Sequence, residues 1–194
     1  MSESVAERCV GIFGGSFNPP HVAHVLAVTY ALSTAPIDEI LVVPVFRHPF
    51  AKDLTPFDDR LEMCRLAFGW LPRVSVSAVE RDLGGDSLTL RTVEHLAAQH
   101  PTWALRLIVG SDVLPDLPKW HRFDRFAEIA PPLVLDRAGF SGAPDRVLLP
   151  DLSSTFVRSV LASGDDGAAR RTLPRAVLEY IAARGLYGAH GPRR

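Results

Sequence analysis

Cys9-Val10-Gly11-Ile12-Phe13 runs directly into Gly14-Gly15-Ser16-Phe17-Asn18-Pro19-Pro20-His21-Val22-Ala23-His24. The first five residues are apolar without alternation, the pattern of a strand buried on both faces. Two glycines and a double proline then interrupt the backbone. From a start near His21, Val22, Val25, Leu26, Val28 and Leu32 recur at helical spacing toward Ser33. A buried strand, a tight loop and a helix in that order are the opening of a βα unit, and the chain repeats the unit.

Ile40-Leu41-Val42-Val43 reads as a second buried strand, closed by Pro44. Between Thr55 and Gly69 the signals predict a helix. Thr55 is the expected N-cap, Pro56 takes the first helical position and Asp58 follows three residues after the cap, with Leu61, Cys64, Ala67 and Phe68 on one face. Val74-Ser75-Val76-Ser77 is a strand, Leu90, Val93, Leu96 and Ala97 mark a helix, and Ala104 to Val109 form a strand ending at Gly110. A helix around Arg122 to Ile129, a strand at Leu133-Val134-Leu135 and a short one at Val147-Leu148-Leu149 follow. Two helices are expected to finish the chain. One opens after Asp151-Leu152-Ser153-Ser154, and the other opens at Pro174, carries Val177, Leu178 and Ile181, and stops at Gly185.

Strands separated by helix-length crossovers cannot form hairpins, so they lie parallel with right-handed connections. The expectation is an α/β, Rossmann-like, doubly wound parallel sheet with helices on both faces and a C-terminal helical segment. No repeat or change in composition divides the chain, so residues 1–194 read as one domain, with 1–7 and 189–194 expected to fray. In such sheets ligands sit beyond the carboxyl ends of the strands. Attention therefore falls on the loops after Phe13, Val43, Ser77, Val109 and Leu149.

The chain is 47% hydrophobic and 22% charged, an ordinary globular mix that excludes wholesale disorder. Twenty-one basic and 22 acidic side chains leave a net charge of -1, so nothing draws the whole molecule to nucleic acid or to an anionic membrane. Any anion site must be local. Cys9 and Cys64 are too few for a disulfide framework and are expected to be reduced thiols of a cytoplasmic protein. The polar, acidic first eight residues argue against a signal peptide, and no apolar run is long enough for a membrane helix.

Two glycines after a strand let a ligand approach the backbone closely and point amide hydrogens at an anion. The loop matches neither G-x-x-x-x-G-K-[ST] nor G-x-G-x-x-G. His21 and His24, three residues apart at a helix start, lie on one side of the first turn. The helix dipole disfavours imidazolium there unless an anion is present, which makes phosphate the natural partner. A capping or solvated histidine and a zinc-binding pair are the alternatives. No third zinc ligand stands out.

The stretch from Gly14 to His24 resembles the signature of the nucleotidylyltransferase superfamily, and its Ser-Phe-Asn-Pro-Pro form is similar to that of bacterial nicotinate mononucleotide adenylyltransferases. Ser153-Ser154-Thr155-Phe156-Val157-Arg158 resembles the second superfamily motif, hydroxyls opening a helix with an arginine one turn in. The resemblance runs from the first strand through Tyr187. Its ending, Leu173-Pro174, Tyr180-Ile181 and Gly185-Leu186-Tyr187, is assigned to packing and helix termination. It implies adenylyl transfer from ATP to nicotinate mononucleotide, giving deamido-NAD and pyrophosphate. On that basis His21, His24 and Arg158 are the catalytic candidates. Gly14, Gly15, Ser16, Phe17, Ser153, Ser154, Thr155 and Lys52 are the ATP-binding candidates, with magnesium (Mg2+) bound through the ATP phosphates. Thr89, Asp112, Trp120 and His121 are the candidates for the mononucleotide: Asp112 at the ribose, Trp120 stacked on the pyridine, and backbone amides near Thr89 and His121 at the nicotinate carboxylate. Arg60 is a further group that could reach phosphate.

Three positions depart from the family pattern. Ala23 stands where glycine is usual, and Leu88 and Arg91 replace residues that are usually tyrosine and acidic or polar. Phe46-Arg47-His48-Pro49-Phe50-Ala51-Lys52 only loosely matches the family's Pro-Pro-His-Lys stretch. The competing readings are a related adenylyltransferase acting on nicotinamide mononucleotide or phosphopantetheine, a nucleotide-binding module without catalysis, and a histidine-based metal hydrolase. The sequence leaves the oligomeric state open.

Overall fold

The computed structural model describes residues 8–48, 53–136 and 149–188. Five parallel strands form one sheet in the order β3-β2-β1-β4-β5. They are β1 (Arg8–Gly15), β2 (Glu39–Pro44), β3 (Val74–Val76), β4 (Trp103–Gly110) and β5 (Pro132–Leu135). The chain winds outward from β1 to β3, then returns to the other side of β1 and winds outward again. The reversal between β1 and β4 opens a crevice at their carboxyl ends.

Helices cover both faces, as the alternation of strands and helical segments requires. Along β1, Val10 and Ile12 join one core cluster and Phe13 the other. Along β4, Leu105, Leu107 and Val109 face the first while Ile108 faces the second. The cluster around Ile108 is closed by α1 (Val22–Thr34), α2 (Phe57–Phe68), α6 (Ser154–Ser163), α7 (Asp166–Thr172) and α8 (Arg175–Arg184). The opposite cluster is closed by α3 (Val79–Leu83), α4 (Thr89–Gln99) and α5 (Phe123–Ile129).

Four details differ from the reading of the sequence. The helix expected from Thr55 begins at Phe57, because Pro56 holds an extended ψ of 142° and acts as the cap. The Thr55 carbonyl instead accepts from Arg60 Nε at 2.9 Å. The C-terminal segment holds three helices, not two: α7 is opened by Asp165, whose side chain accepts from the Ala168 amide. The five-residue α3 was not foreseen. Gly14 and Gly15 are the last residues of β1, paired with Val43 and Pro44, rather than a turn. Of the short strand expected at Val147-Leu148-Leu149, the first two residues lie outside the described ones; Leu149 donates its amide to the Asp136 carbonyl at 2.9 Å.

Candidate active site

The first loop turns at Phe17, whose φ of 45° lies in the left-handed region that a Cβ disfavours. Its ring, 2% exposed, is the anchor. It sits edge-on to Phe13, Phe68 and His24, with centroids 5.6, 5.9 and 5.1 Å away. The glycines supply room. A Cβ on Gly15 would stand 3.2 Å from the Phe17 ring, whereas one on Gly14 would meet nothing nearer than the Val43 carbonyl oxygen at 4.0 Å. Bare backbone at Gly14 therefore borders open space.

His21 caps α1 and His24 is its third residue. Nδ1 of His24 accepts from the His21 amide at 3.1 Å, satisfying one of the donors that a helix start leaves over. With Nδ1 accepting, the neutral ring carries its proton on Nε2. The two imidazoles stack with centroids 3.6 Å apart and planes 19° from parallel. Ala23 between them is buried and its methyl forms part of the pocket wall, so the departure from glycine narrows the cavity without breaking the helix.

The second motif opens α6. Ser153 is the N-cap, its side-chain oxygen accepting from the Phe156 amide. Ser154 Oγ donates to the Pro19 carbonyl at 2.9 Å, across 135 residues of sequence. Arg158 Nη1 donates to the Asn18 carbonyl at 2.8 Å, and its Nη2 to Thr155 Oγ1 at 3.2 Å. The two motifs are thus bonded to one another. The N-termini of α1 and α6 both open on the same cavity, each bringing about half a positive charge.

That cavity, about 260 Å3, lies beyond the carboxyl ends of β1, β4 and β5. Seven of the sequence candidates line it: Gly14, His21, His24, Asp112, Trp120, Ser153 and Ser154. Apolar residues that the sequence did not single out complete the wall, among them Ile108, Val109, Leu135 and Leu152. Asp112 sits in the single 3-10 turn after β4 (Ser111–Val113), and half-buried Trp120 follows a second such turn (Leu117–Lys119), its ring 6.1 Å from Phe126. Gly15, Ser16, Phe17, Thr155 and Arg158 stand behind or beside the cavity without lining it. Neither half-buried Thr89, the first residue of α4, nor exposed His121 lines it. Lys52 lies outside the described residues.

Arg60 does not reach toward phosphate. It is 1% exposed, and its guanidinium is spent on the carbonyls of Ser16 (2.8 Å), Thr55 (2.9 Å) and Phe46 (3.4 Å). Burial lowers its pKa from the usual arginine value. Nearby, buried Glu80 accepts from the Phe46 amide at 3.0 Å and from Thr92 Oγ1 at 3.2 Å. Ser87 Oγ takes the amides of Phe46 and Arg47 as well. The loop after β2 is therefore tied to the segment before α4. Arg91, one of the family departures, fastens that segment from outside by donating to the carbonyls of Leu83, Gly84 and Asp86. No sequence signal marks Glu80, since its partners come from three separate segments.

The cavity combines a bare glycine strand end, two helix N-termini, an imidazole donor, a carboxylate and an indole. Such a set suits a polyphosphate joined to a ribose, with an aromatic ring against Trp120. Among the described residues no three His, Cys, Asp or Glu side chains gather into a cation cage. The groups that line the cavity, helix-start residues with the His24 imidazole and the Ser153 and Ser154 hydroxyls, suit phosphate oxygens, and magnesium habitually travels on such oxygens and water.

Comparison with known proteins shows the family and the fold. The model of the cytidylyltransferase-like family matches residues 12–160. A protein of Anaeromyxobacter dehalogenans (strain 2CP-C), named "Probable nicotinate-nucleotide adenylyltransferase", is 49% identical over 183 residues, covering 93% of this chain and 97% of its own. A protein of the same name from Myxococcus xanthus (strain DK1622) is 40% identical over 185 residues, covering 92% and 94%. Among solved structures, the nicotinic acid mononucleotide adenylyltransferase of Plasmodium falciparum, complexed with NaAD, superposes with a TM-score of 0.80. It covers 95% of this chain and 99% of its own at 20% identity, which speaks to the fold.

Proposed function

The chain belongs to the nicotinate-nucleotide adenylyltransferases of the cytidylyltransferase-like family, and from that premise we propose that its cavity joins ATP to nicotinate mononucleotide, yielding deamido-NAD and pyrophosphate. The observation that carries the reading is the convergence of both motifs on one cavity, with Gly14, His24 and Ser154 on the same wall system as Asp112 and Trp120.

The attacking group is the phosphate of the mononucleotide. A phosphate monoester has its second pKa near 6, so at neutral pH it is largely dianionic and needs no general base. The protein's task is to hold two mutually repelling anions in line and to stabilise the charge that grows on the α-phosphorus oxygens and the departing pyrophosphate. His24 Nε2 supplies a donor whose direction is set by the bond at Nδ1. The amides at the starts of α1 and α6 add fixed partial positive charge. Arg158, already directed by Asn18 and Thr155, retains further N–H groups for phosphate oxygens. His21, Gly15, Ser16, Phe17, Ser153, Ser154 and Thr155 complete the ATP side. Magnesium carried on the triphosphate would supply charge neutralisation there, and the protein's own donors do the orienting.

On the acceptor side, Asp112 is positioned for ribose hydroxyls and Trp120 for the pyridinium ring. A cationic ring over an indole gains both stacking and cation–π attraction, about 0.5–2 kcal/mol. Backbone amides near Thr89 and His121 are assigned to the carboxylate, and residues 1–194 are read as one cytoplasmic domain. No helix among the described residues is long and apolar enough to cross a membrane.

Pyrophosphate release tests the reading. With ATP and nicotinate, nicotinamide or phosphopantetheine acceptors supplied in turn, the nicotinate mononucleotide should give the highest kcat/KM. A preference for either other acceptor would reassign the substrate, and ATP binding with no pyrophosphate from any of them would leave a binding module.

A further inference from the structure

We propose that the loop Ser16-Phe17-Asn18 is held in its working shape by a buried polar clamp, Arg60 of α2 on one side and Tyr187 of the C-terminal turn on the other, and that both are positioning residues for the transfer. The inference rests on the function proposed above.

The loop needs holding. Phe17 adopts a left-handed conformation that is sterically disfavoured for any residue with a Cβ, and such conformations persist only where the surroundings over-determine them. Arginine is among the side chains least often buried, yet Arg60 is almost wholly so and gives its guanidinium to backbone carbonyls of three separate segments. One of those carbonyls is Ser16. In a trans peptide the C=O and the following N–H point in opposite directions. By drawing the Ser16 carbonyl inward, Arg60 turns the Phe17 amide away from the core, so its direction as an oxyanion donor is set from behind.

Tyr187 acts on the other end of the loop. Its hydroxyl donates to Asn18 Oδ1 at 2.7 Å, across 169 residues of sequence, and the same oxygen accepts from the Thr55 amide at 3.3 Å. Asn18 is 4% exposed, so its side chain has no water to fall back on. Its carbonyl in turn receives Arg158 Nη1. Tyr187 therefore reaches the phosphate-directed guanidinium through one intervening residue. The turn that delivers it is itself bent, with φ of 61° at Gly185 and 58° at Tyr187. It is moored to α2, where Asp59 accepts from Tyr180 at 2.8 Å and pairs with Arg184 at 3.1 Å. Burial pushes the Tyr187 hydroxyl up to about 12, so it remains a protonated donor at neutral pH.

Arg60, Tyr187, Asn18, Ser16 and Phe17 all stand outside the cavity wall. Arg60 and Tyr187 touch neither nucleotide, so loosening the clamp should misdirect the Ser16-Phe17 loop and Arg158 toward the transition state while leaving the contacts that line the cavity itself in place. The effect belongs in kcat rather than in the affinity for either nucleotide alone.

Tyr187→Phe removes one oxygen and keeps the ring, so it tests the clamp without endangering the fold; Arg60→Lys keeps the charge but cannot span three carbonyls. Turnover per binding-competent site is measured by pyrophosphate release at saturating ATP and nicotinate mononucleotide, below the Tm of every variant. Dissociation constants for each nucleotide alone come from calorimetry. Tyr187→Phe should lower kcat at least roughly fivefold, the factor carried by one ordinary hydrogen bond, and Arg60→Lys roughly thirtyfold or more. Both single-nucleotide dissociation constants should stay within about threefold of wild type. A smaller fall in kcat for Tyr187→Phe, or a fall matched by equal loss of affinity for the separate nucleotides, overturns the clamp. Wild-type protein that releases no pyrophosphate would instead overturn the functional reading on which the clamp depends.

Discussion

His24 carries two separable duties, and substitution can divide them. Its Nδ1 accepts the His21 amide and so completes the start of α1, while Nε2 carries the proton proposed to meet the reacting phosphates. Losing a donor aimed at developing charge costs about 2.7–4 kcal/mol, which is roughly a hundred- to a thousandfold in kcat. Losing a cap acceptor costs about 1 kcal/mol of stability. Asparagine can place an amide oxygen near the position of Nδ1 and nothing at Nε2. Glutamine can bring an N–H group close to Nε2. His24→Asn should therefore keep the wild-type Tm within a few degrees and lose at least roughly a hundredfold in turnover. His24→Gln should recover part of that rate, and His24→Ala should lose both rate and Tm. Pyrophosphate release at saturating substrates, alongside thermal unfolding by circular dichroism, reads both duties. Turnover of His24→Asn within about threefold of wild type, with normal affinity for both nucleotides, would refute the donor role.

Three further outcomes are expected. Trp120→Ala should weaken binding of the pyridine mononucleotide by about 1–3 kcal/mol and leave ATP affinity nearly unchanged, as calorimetry with each ligand would show; equal losses for both would remove the stacking role. Burial raises the Glu80 carboxyl above the ordinary glutamate value, against the lowering pull of Ser87, the Phe46 amide, Thr92 and Arg60. The folded protein then holds that proton more tightly than the unfolded chain. Stability is consequently lost as pH rises from the ordinary value near about 4.3 through the raised folded value. Glu80→Gln lacks this loss, so its Tm relative to wild type should climb across that window; a pH-independent difference would contradict the assignment. Phe68, fully buried against Phe17, should cost about 3–5 kcal/mol of unfolding free energy when cut to alanine, measured by urea denaturation.

Much of the sheet was legible because its strands are short β-branched or apolar runs separated by helix-length segments, which leaves parallel winding as the only arrangement. The missed helices are the ones without that signal. In α3 the order Val79-Glu80-Arg81-Asp82-Leu83 is too short to show a period, and α7 is mostly small and polar. A glycine pair after a strand suggests a turn, because glycine so often supplies a positive φ. Here the turn falls on Phe17, whose ring burial offsets the strain, and Gly15 instead makes room for that ring. Most site candidates that line the cavity share a visible logic: His21, His24, Ser153 and Ser154 sit at helix starts, Gly14 at a strand end and Asp112 just after one. The sequence offers Arg60 to phosphate and not to the loop, because its partners are carbonyls of Ser16, Phe46 and Thr55, groups that every residue carries. Glu80 carries no signal because its partners, the Phe46 amide and the Thr92 hydroxyl, lie in separate segments, and Arg91, conspicuous as a departure, fastens a loop.

The proposed transfer is a single direct attack by the mononucleotide phosphate on the α-phosphorus, with both reactants held in one cavity and no covalent intermediate on the protein. The configuration at phosphorus tests it most directly. With ATP bearing a stereodefined sulfur on the α-phosphate, one in-line displacement predicts a dinucleotide of inverted configuration. Retention would mean two displacements and a protein nucleophile between them, which contradicts direct transfer.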